Sequence, residues 1–181
     1  MYDLHHLSFH YYKPSLLKIT MNQTHIHLLI THLPIFGSIL GGLVLAHGLW
    51  TKSNPTKIAA YNLLIISSIG AVIAYLTGEG AEEVVEKIQG VSKSMIEKHS
   101  DSAVYGLVSL SILGVAALIG LFLSFRKSPL SRTIAIITLV ISLISFGLIA
   151  RTGYLGGQIR HTEINTTTPI PPQNGEKEKD D

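Results

Sequence analysis

The sequence contains no cysteine among its 181 residues. This absence excludes structural disulfides, cysteine-ligated iron–sulfur clusters, thiolate zinc sites and a covalently attached c-type haem. Charged residues are also scarce, at 14% of the chain, and the formal net charge is only +2. No basic stripe is present, so nucleic acid is not an expected partner. Any metal chemistry must therefore use histidine, carboxylate, methionine or tyrosine side chains.

Hydrophobic residues, in contrast, make up 46% of the chain. They are concentrated in four runs, at 28–50, 58–76, 103–125 and 133–150. Each run approaches the ~20 residues that an α-helix needs to cross ~30 Å of hydrocarbon. Backbone polar groups in lipid must be satisfied within their own segment, which favours helices over open strands. We therefore predict an all-α fold, a four-transmembrane-helix bundle embedded in the lipid bilayer.

The chain divides into three parts by composition. Residues 1–23 form an N-terminal extension that is rich in aromatic residues and histidine and lacks the pattern of a signal peptide. Met21 stands directly before the first span, so we expect it to be the true start. Residues 24–161 form the four-span membrane domain. Residues 162–181 are polar and then charged, which predicts a disordered tail.

Two further structural expectations concern the ends of the spans. Pro34 lies inside the first span, whose helix is expected to begin near Thr24, to kink at the proline and to turn His32 toward the bundle. Between spans two and three, Val84, Ile88 and Val91 fall on one helical face. This spacing predicts a short amphipathic surface helix, or else an extension of the third span from about residue 92.

The connecting loops predict the orientation of the bundle. Lys52 and Lys57 follow the first span, and Arg126 and Lys127 follow the third, with no acidic residue beside them. The loop between spans two and three is mixed and acidic. Basic loops favour the cytoplasmic side. We therefore expect a bacterial inner-membrane protein with both termini and the second loop in the periplasm.

Histidines are gathered at one end of the predicted bundle. His27, His32, His99 and His161 lie at the predicted outer ends of spans one, three and four, whereas His47 stands alone near the inner end. A b-type haem takes axial imidazoles from opposite sides of its ring, commonly from facing helices of a bundle.

The spacing of these residues leads to a prediction for each. His32 and His99 are the predicted axial pair, and the same pair would serve a single metal ion. His27 and His161 are predicted as replacements or as ligands of a second haem. Arg151 and Arg160 are predicted partners of the haem propionates, because guanidinium groups pair carboxylates through two hydrogen bonds. Tyr154 is a further hydrogen-bond donor.

Four short segments resemble the DUF2231 family of predicted bacterial membrane proteins. The histidine–proline pattern at His27, His32 and Pro34 is similar to the opening of that family. The segments TGEGAEEV at 77–84, EKHSDSA at 97–103 and GYLGGQIRH at 153–161 look like its later elements. The sequence departs from the family at Leu28, where proline usually follows the first histidine. The resemblance implies a four-helix integral membrane protein likened to the membrane b-type cytochromes.

Three hypotheses for function follow. The first is a subunit that binds haem b and transfers electrons to or from a periplasmic redox partner or a respiratory complex. The second is a non-haem metal-binding membrane protein that adds Glu79 or Asp101 to the histidines. The third is a structural or assembly subunit without a cofactor. An electron-transfer or accessory subunit is favoured over a stand-alone enzyme. The sequence leaves open whether the protein forms a homo-oligomer.

Overall fold

A computed structural model of the protein describes residues 23–89 and 91–160. The expectations for the N-terminal extension before Gln23, for His161 and for the tail lie outside these residues. The described chain is helical, with the elements α1 (Gln23–Ile30), α2 (His32–Trp50), α3 (Asn54–Val85), α4 (Lys93–Phe125) and α5 (Ser131–Arg160). Four helices, counting α1 and α2 as one, are long and apolar enough to cross a membrane. The all-helical, four-span prediction is confirmed.

The first span is interrupted where α1 meets α2. Thr31 separates the two helices, although its backbone angles stay helical, with φ −60° and ψ −24°. Pro34 stands three residues later and has no N–H to donate to the carbonyl oxygen of Ile30. Its own carbonyl oxygen accepts a hydrogen bond of 3.1 Å from the Ser67 hydroxyl on α3. The first span is therefore interrupted at Thr31, three residues before Pro34, and a neighbouring span packs against this region. The expected turn of His32 toward the bundle is not present, because His32 is exposed.

The predicted short surface helix is absent from the described residues between spans two and three. α3 continues to Val85, and α4 begins at Lys93 with Ser92 at its N-cap position. Alanine and glutamate at 81–83 are strong helix formers, so α3 runs past its apolar segment without a break. The alternative expectation, extension of the third span from about residue 92, agrees with the structure.

The spans pack in a ring in which each one contacts its neighbour along the chain and the last contacts the first. Small and hydroxyl-bearing residues fill the interior, as is usual for helices that approach closely in lipid. The Ser142 hydroxyl donates to the carbonyl oxygen of Ser38 at 2.7 Å, and the Ser68 hydroxyl donates to that of Leu110 at 2.8 Å. Large apolar side chains face outward, so the outer surface suits lipid.

Two tight turns of the same design join the spans at the end opposite the cluster of histidines. Lys52 and Lys127 follow the ends of α2 and α4 and have positive φ angles of 54° and 50°. In both turns the next serine, Ser53 or Ser128, donates its backbone N–H to a carbonyl oxygen five residues earlier. This is the hydrogen-bond pattern of a Schellman motif. Both turns lie at the same end of the bundle and reverse the chain there. The first and third spans therefore end at that end and run parallel to each other.

Candidate functional site

The imidazole rings of His27 and His99 meet at the end of the bundle where spans one and three begin. Their ring centres are 6.5 Å apart and their planes are almost perpendicular, at 85°. Both side chains are half-buried. The two residues are 72 positions apart in the chain and lie on different spans, so the contact depends on the packing of the whole bundle.

Each imidazole is held by a backbone carbonyl group of the following span. The Nδ1 atom of His27 lies 2.8 Å from the carbonyl oxygen of Ala74, and that of His99 lies 2.9 Å from the carbonyl oxygen of Thr152. A carbonyl oxygen only accepts hydrogen bonds, so Nδ1 carries the proton in both rings. In a neutral imidazole the lone pair is then on Nε2, the atom that is left to bind a ligand.

This arrangement is the one found around histidines that bind metals. A metal-bound histidine usually donates its other ring N–H to a carboxylate, a carbonyl group or water, which fixes the tautomer and the direction of the ring. Here two histidines share that arrangement within one site. The hydroxyl of Thr152 is also hydrogen-bonded, at 2.8 Å, to the buried Ser102 of α4. The carbonyl group that holds His99 is therefore on a firmly packed residue.

We call the segments 74–78 and 152–156 the docking segments, since each presents a carbonyl group to an imidazole and ends in a glycine. A Cβ atom on Gly78 would lie 3.5 Å from Cε1 of His27. A Cβ atom on Gly156 would lie 3.0 Å from Cε1 and 3.1 Å from Nδ1 of His99. In both segments the glycine follows the accepting residue by four positions, which is one helical turn.

The two imidazoles open into one cavity of about 720 Å³, which we call the histidine cavity. Its walls are mainly apolar and include Ile35, Ile96 and Ile149. Glu79 and Glu82 are the charged residues in its described lining, which includes no lysine or arginine. The described site is therefore apolar with an acidic edge.

The histidine cavity lies toward the N-terminal ends of spans one and three. His99 precedes Phe125, the last residue of α4, by a distance of roughly 39 Å at 1.5 Å per helical residue. The hydrocarbon core of a bilayer is about 30 Å thick. If the far end of α4 lies at one boundary of the hydrocarbon, the imidazoles lie at the opposite interface, within reach of water-soluble molecules.

The structure does not bring together His32 and His99, the predicted axial pair. His32 is exposed and is not part of the lining of the histidine cavity. Its Nδ1 atom is hydrogen-bonded to the carbonyl oxygen of Leu28, one turn earlier in the same span, and its ring stacks on Phe36. His32 lies five positions after His27, which turns the two side chains about 140° apart around the helix. The interruption at Thr31 does not offset that rotation.

Other predicted ligands lie elsewhere. Arg151 is exposed and lines a second cavity of about 550 Å³, together with Lys98, Asp101 and Tyr105. It is not part of the histidine cavity. The side chain of Arg160 and the whole of His161 fall outside the described structure. Tyr154 is exposed and lines neither cavity.

Sequence reasoning missed the docking segments, although they leave a signal in the sequence. The two segments read AYLTG and TGYLG, and each ends in the glycine that adjoins an imidazole. A tyrosine–leucine pair and a glycine therefore recur in spans two and four, but only the structure shows that both glycines adjoin an imidazole. Among residues 23–89 and 91–160, no group of three histidine, cysteine or acidic side chains is positioned to hold a metal ion.

Comparison of this chain with protein-family models, with curated proteins and with solved structures finds no match.

Proposed function

We propose that this integral membrane protein binds a b-type haem through His27 and His99 and takes part in electron transfer. One observation carries the proposal: two imidazoles from different spans share a cavity, and the Nδ1 atom of each is hydrogen-bonded to a carbonyl oxygen. Metal–imidazole bonds are about 2.0–2.1 Å long. The ring centres lie 6.5 Å apart, so His27 and His99 would be close enough to hold one metal centre between them.

A haem and a bare metal ion would differ in the number of protein ligands that they need. Structural zinc sites use four protein ligands and catalytic zinc sites commonly use three. A porphyrin supplies four nitrogen ligands itself, so the two imidazoles would be enough to hold its iron. Glu79 and Glu82 in the cavity favour a cation, which makes a non-haem metal ion the second candidate.

Residues of this chain would control how the haem behaves. The iron supplies one-electron chemistry when it is bound. The carbonyl groups of Ala74 and Thr152 hold the imidazoles in one tautomer and make Nε2 more basic. Apolar walls at Ile35, Ile96 and Ile149 limit the access of water. The acidic edge would favour approach of a basic soluble partner, because opposite surface charges steer encounter.

A difference spectrum tests this function. The full-length protein, expressed with added haem precursor and purified in detergent, is expected to show a Soret band that shifts when dithionite is added. Metal analysis of the same sample separates the two candidates. A protein that carries zinc or copper at one equivalent and no Soret band would support the second candidate and reject the first. A protein with neither would favour a cofactor-free structural or assembly subunit.

The proposed location is the bacterial inner membrane, with the histidine cavity on the periplasmic side. The absence of cysteine allows a direct test, because any introduced cysteine is the only thiol in the chain. Gln89 and Pro129 are exposed, uncharged and at opposite ends of the bundle. In intact cells with a permeabilised outer membrane, Gln89→Cys is expected to react with a membrane-impermeant maleimide and Pro129→Cys is not. Labelling of Pro129→Cys alone would reverse the orientation.

A further inference from the structure

The two helical hairpins of this protein repeat the same pattern of buried positions. The first hairpin consists of spans one and two, and the second of spans three and four. His27 and His99 are 72 positions apart in the chain. Every buried residue of α2 has a counterpart 72 positions later in α4, and that counterpart is also buried. The six pairs are Pro34 and Gly106, Ser38 and Leu110, Gly41 and Leu113, Gly42 and Gly114, Leu45 and Ala117, and Gly48 and Gly120.

The second span of each hairpin extends the match. Counted back from the docking segments, four of the eight buried residues of α3 correspond to buried residues of α5. These pairs are Ala60 and Thr138, Leu64 and Ser142, Ser67 and Ser145, and Ala74 and Thr152. The turns TKS at 51–53 and RKS at 126–128 also correspond. The spacing shows that the second hairpin is longer by about one helical turn on each side of its turn.

Two hydrogen bonds between the hairpins have acceptors in equivalent positions. The carbonyl oxygens of Ser38 and Leu110 occupy equivalent positions in spans one and three. Each accepts a hydrogen bond from a serine of the other hairpin, Ser142 and Ser68 respectively. In the register of the repeat the two donor serines lie four positions apart, which is about one helical turn. The two imidazoles, one from each unit, meet at the end of the bundle opposite the two tight turns.

We infer that the repeat holds one ligand between its halves and that Gly156 is the positioning residue of the His99 imidazole, with Gly78 as its less crowded counterpart beside His27. This inference rests on the proposed function. One imidazole from each unit gives two matching donors to a single centre, which predicts one haem per chain. Gly156 keeps the space beside the Thr152 carbonyl group open, so that the His99 ring can reach that group and present Nε2 to the cavity.

The distances predict that the two glycines differ in their tolerance of a side chain. A methyl group at Gly156 would press on Cε1 and Nδ1 of His99, at 3.0 and 3.1 Å, and would push the ring away from the Thr152 carbonyl oxygen. A methyl group at Gly78 would touch His27 at 3.5 Å, which is ordinary van der Waals contact. Gly157 has no atom within 4 Å of an added Cβ. It is therefore a matched control, one residue away on the same helix.

The test compares full-length wild-type protein with Gly156→Ala, Gly78→Ala and Gly157→Ala, expressed with haem precursor. Removing a residue that orients a metal ligand commonly lowers affinity by about 10–100-fold, and we expect a loss in this range for Gly156→Ala, with a smaller effect for Gly78→Ala. Gly157→Ala should match the wild type, which should retain one haem per chain. Two haems per chain in the wild type would overturn the single-ligand inference.

Nitrogen-15 spectra of histidine-labelled, haem-free protein provide a readout that does not depend on cofactor. His99 should carry its proton on Nδ1 in the wild type and in Gly157→Ala, and should lose that preference in Gly156→Ala. If Gly156→Ala fails to fold, Gly78→Val makes the same test at His27. Haem content and histidine spectra equal to those of Gly157→Ala would reject the positioning role. A wild type without a Soret band would reject the proposed function, while the spectra would still decide the role of the glycines.

Discussion

His99→Ala is expected to abolish stable haem binding, and His27→Ala is expected to cost nearly as much. Each substitution removes one of the two imidazoles that share the histidine cavity. Loss of a direct ligand should exceed the roughly 10–100-fold effect of losing a residue that only orients a ligand. The measurement is haem per polypeptide in detergent-purified protein, together with the Soret position of whatever haem remains.

His32→Ala is the matched control for this pair of substitutions. It removes an imidazole from the same span, but one that is exposed and stacked on Phe36 outside the cavity. Its haem content should equal that of the wild type. Haem loss in His32→Ala with full retention in His27→Ala would instead restore the His32–His99 pair that the sequence predicts. Haem retention in the His27→Ala/His99→Ala double variant would reject both pairs.

Gly120→Val is expected to destabilise the bundle at the end opposite the histidine cavity. A Cβ atom on Gly120 would overlap the ring of Tyr61, which is fully buried in the core. Overpacking a close-packed interior typically costs about 1–3 kcal/mol, and each kcal/mol lowers Tm by roughly 2–4 °C in a chain of this size. Thermal unfolding of haem-free protein in detergent, followed by tryptophan fluorescence or circular dichroism, measures the change.

Gly147→Val separates this clash from the general effect of valine in a helix. Gly147 is exposed on α5, and no atom lies within 4 Å of an added Cβ. Valine has a somewhat better helix propensity than glycine, so Tm should stay constant or rise slightly. Equal melting temperatures for the two variants would show that α4 does not pack against Tyr61 as described.

The sequence was a good guide to the spans and a poorer guide to their ends. The four apolar runs predicted four helices, and the structure contains them. It did not predict that α3 and α4 extend past their apolar segments to Val85 and from Lys93, replacing a separate surface helix. Helix propensity carries a helix beyond the hydrocarbon, whereas hydropathy measures only the part inside it.

The sequence showed that several histidines lie at one end of the bundle, but it did not show which of them meet. His27 and His32 are close in the chain, but their side chains point about 140° apart around the helix. Which of them faces the interior depends on the rotation of the first span about its own axis. That rotation is set by packing against α3 and α5, through contacts such as Ser67 with Pro34.

The membrane helices of this protein were determined by its sequence alone, because a long apolar run in lipid must satisfy its backbone hydrogen bonds within one helix. The choice of His27 as the partner of His99 was decided only by the tertiary structure. Each imidazole is hydrogen-bonded to a carbonyl group about 50 residues further along the chain, on a neighbouring helix. In both cases that carbonyl group belongs to a docking segment whose last residue is glycine. A helix turns its side chains by about 100° per residue, so only the packed bundle determines which imidazoles lie side by side.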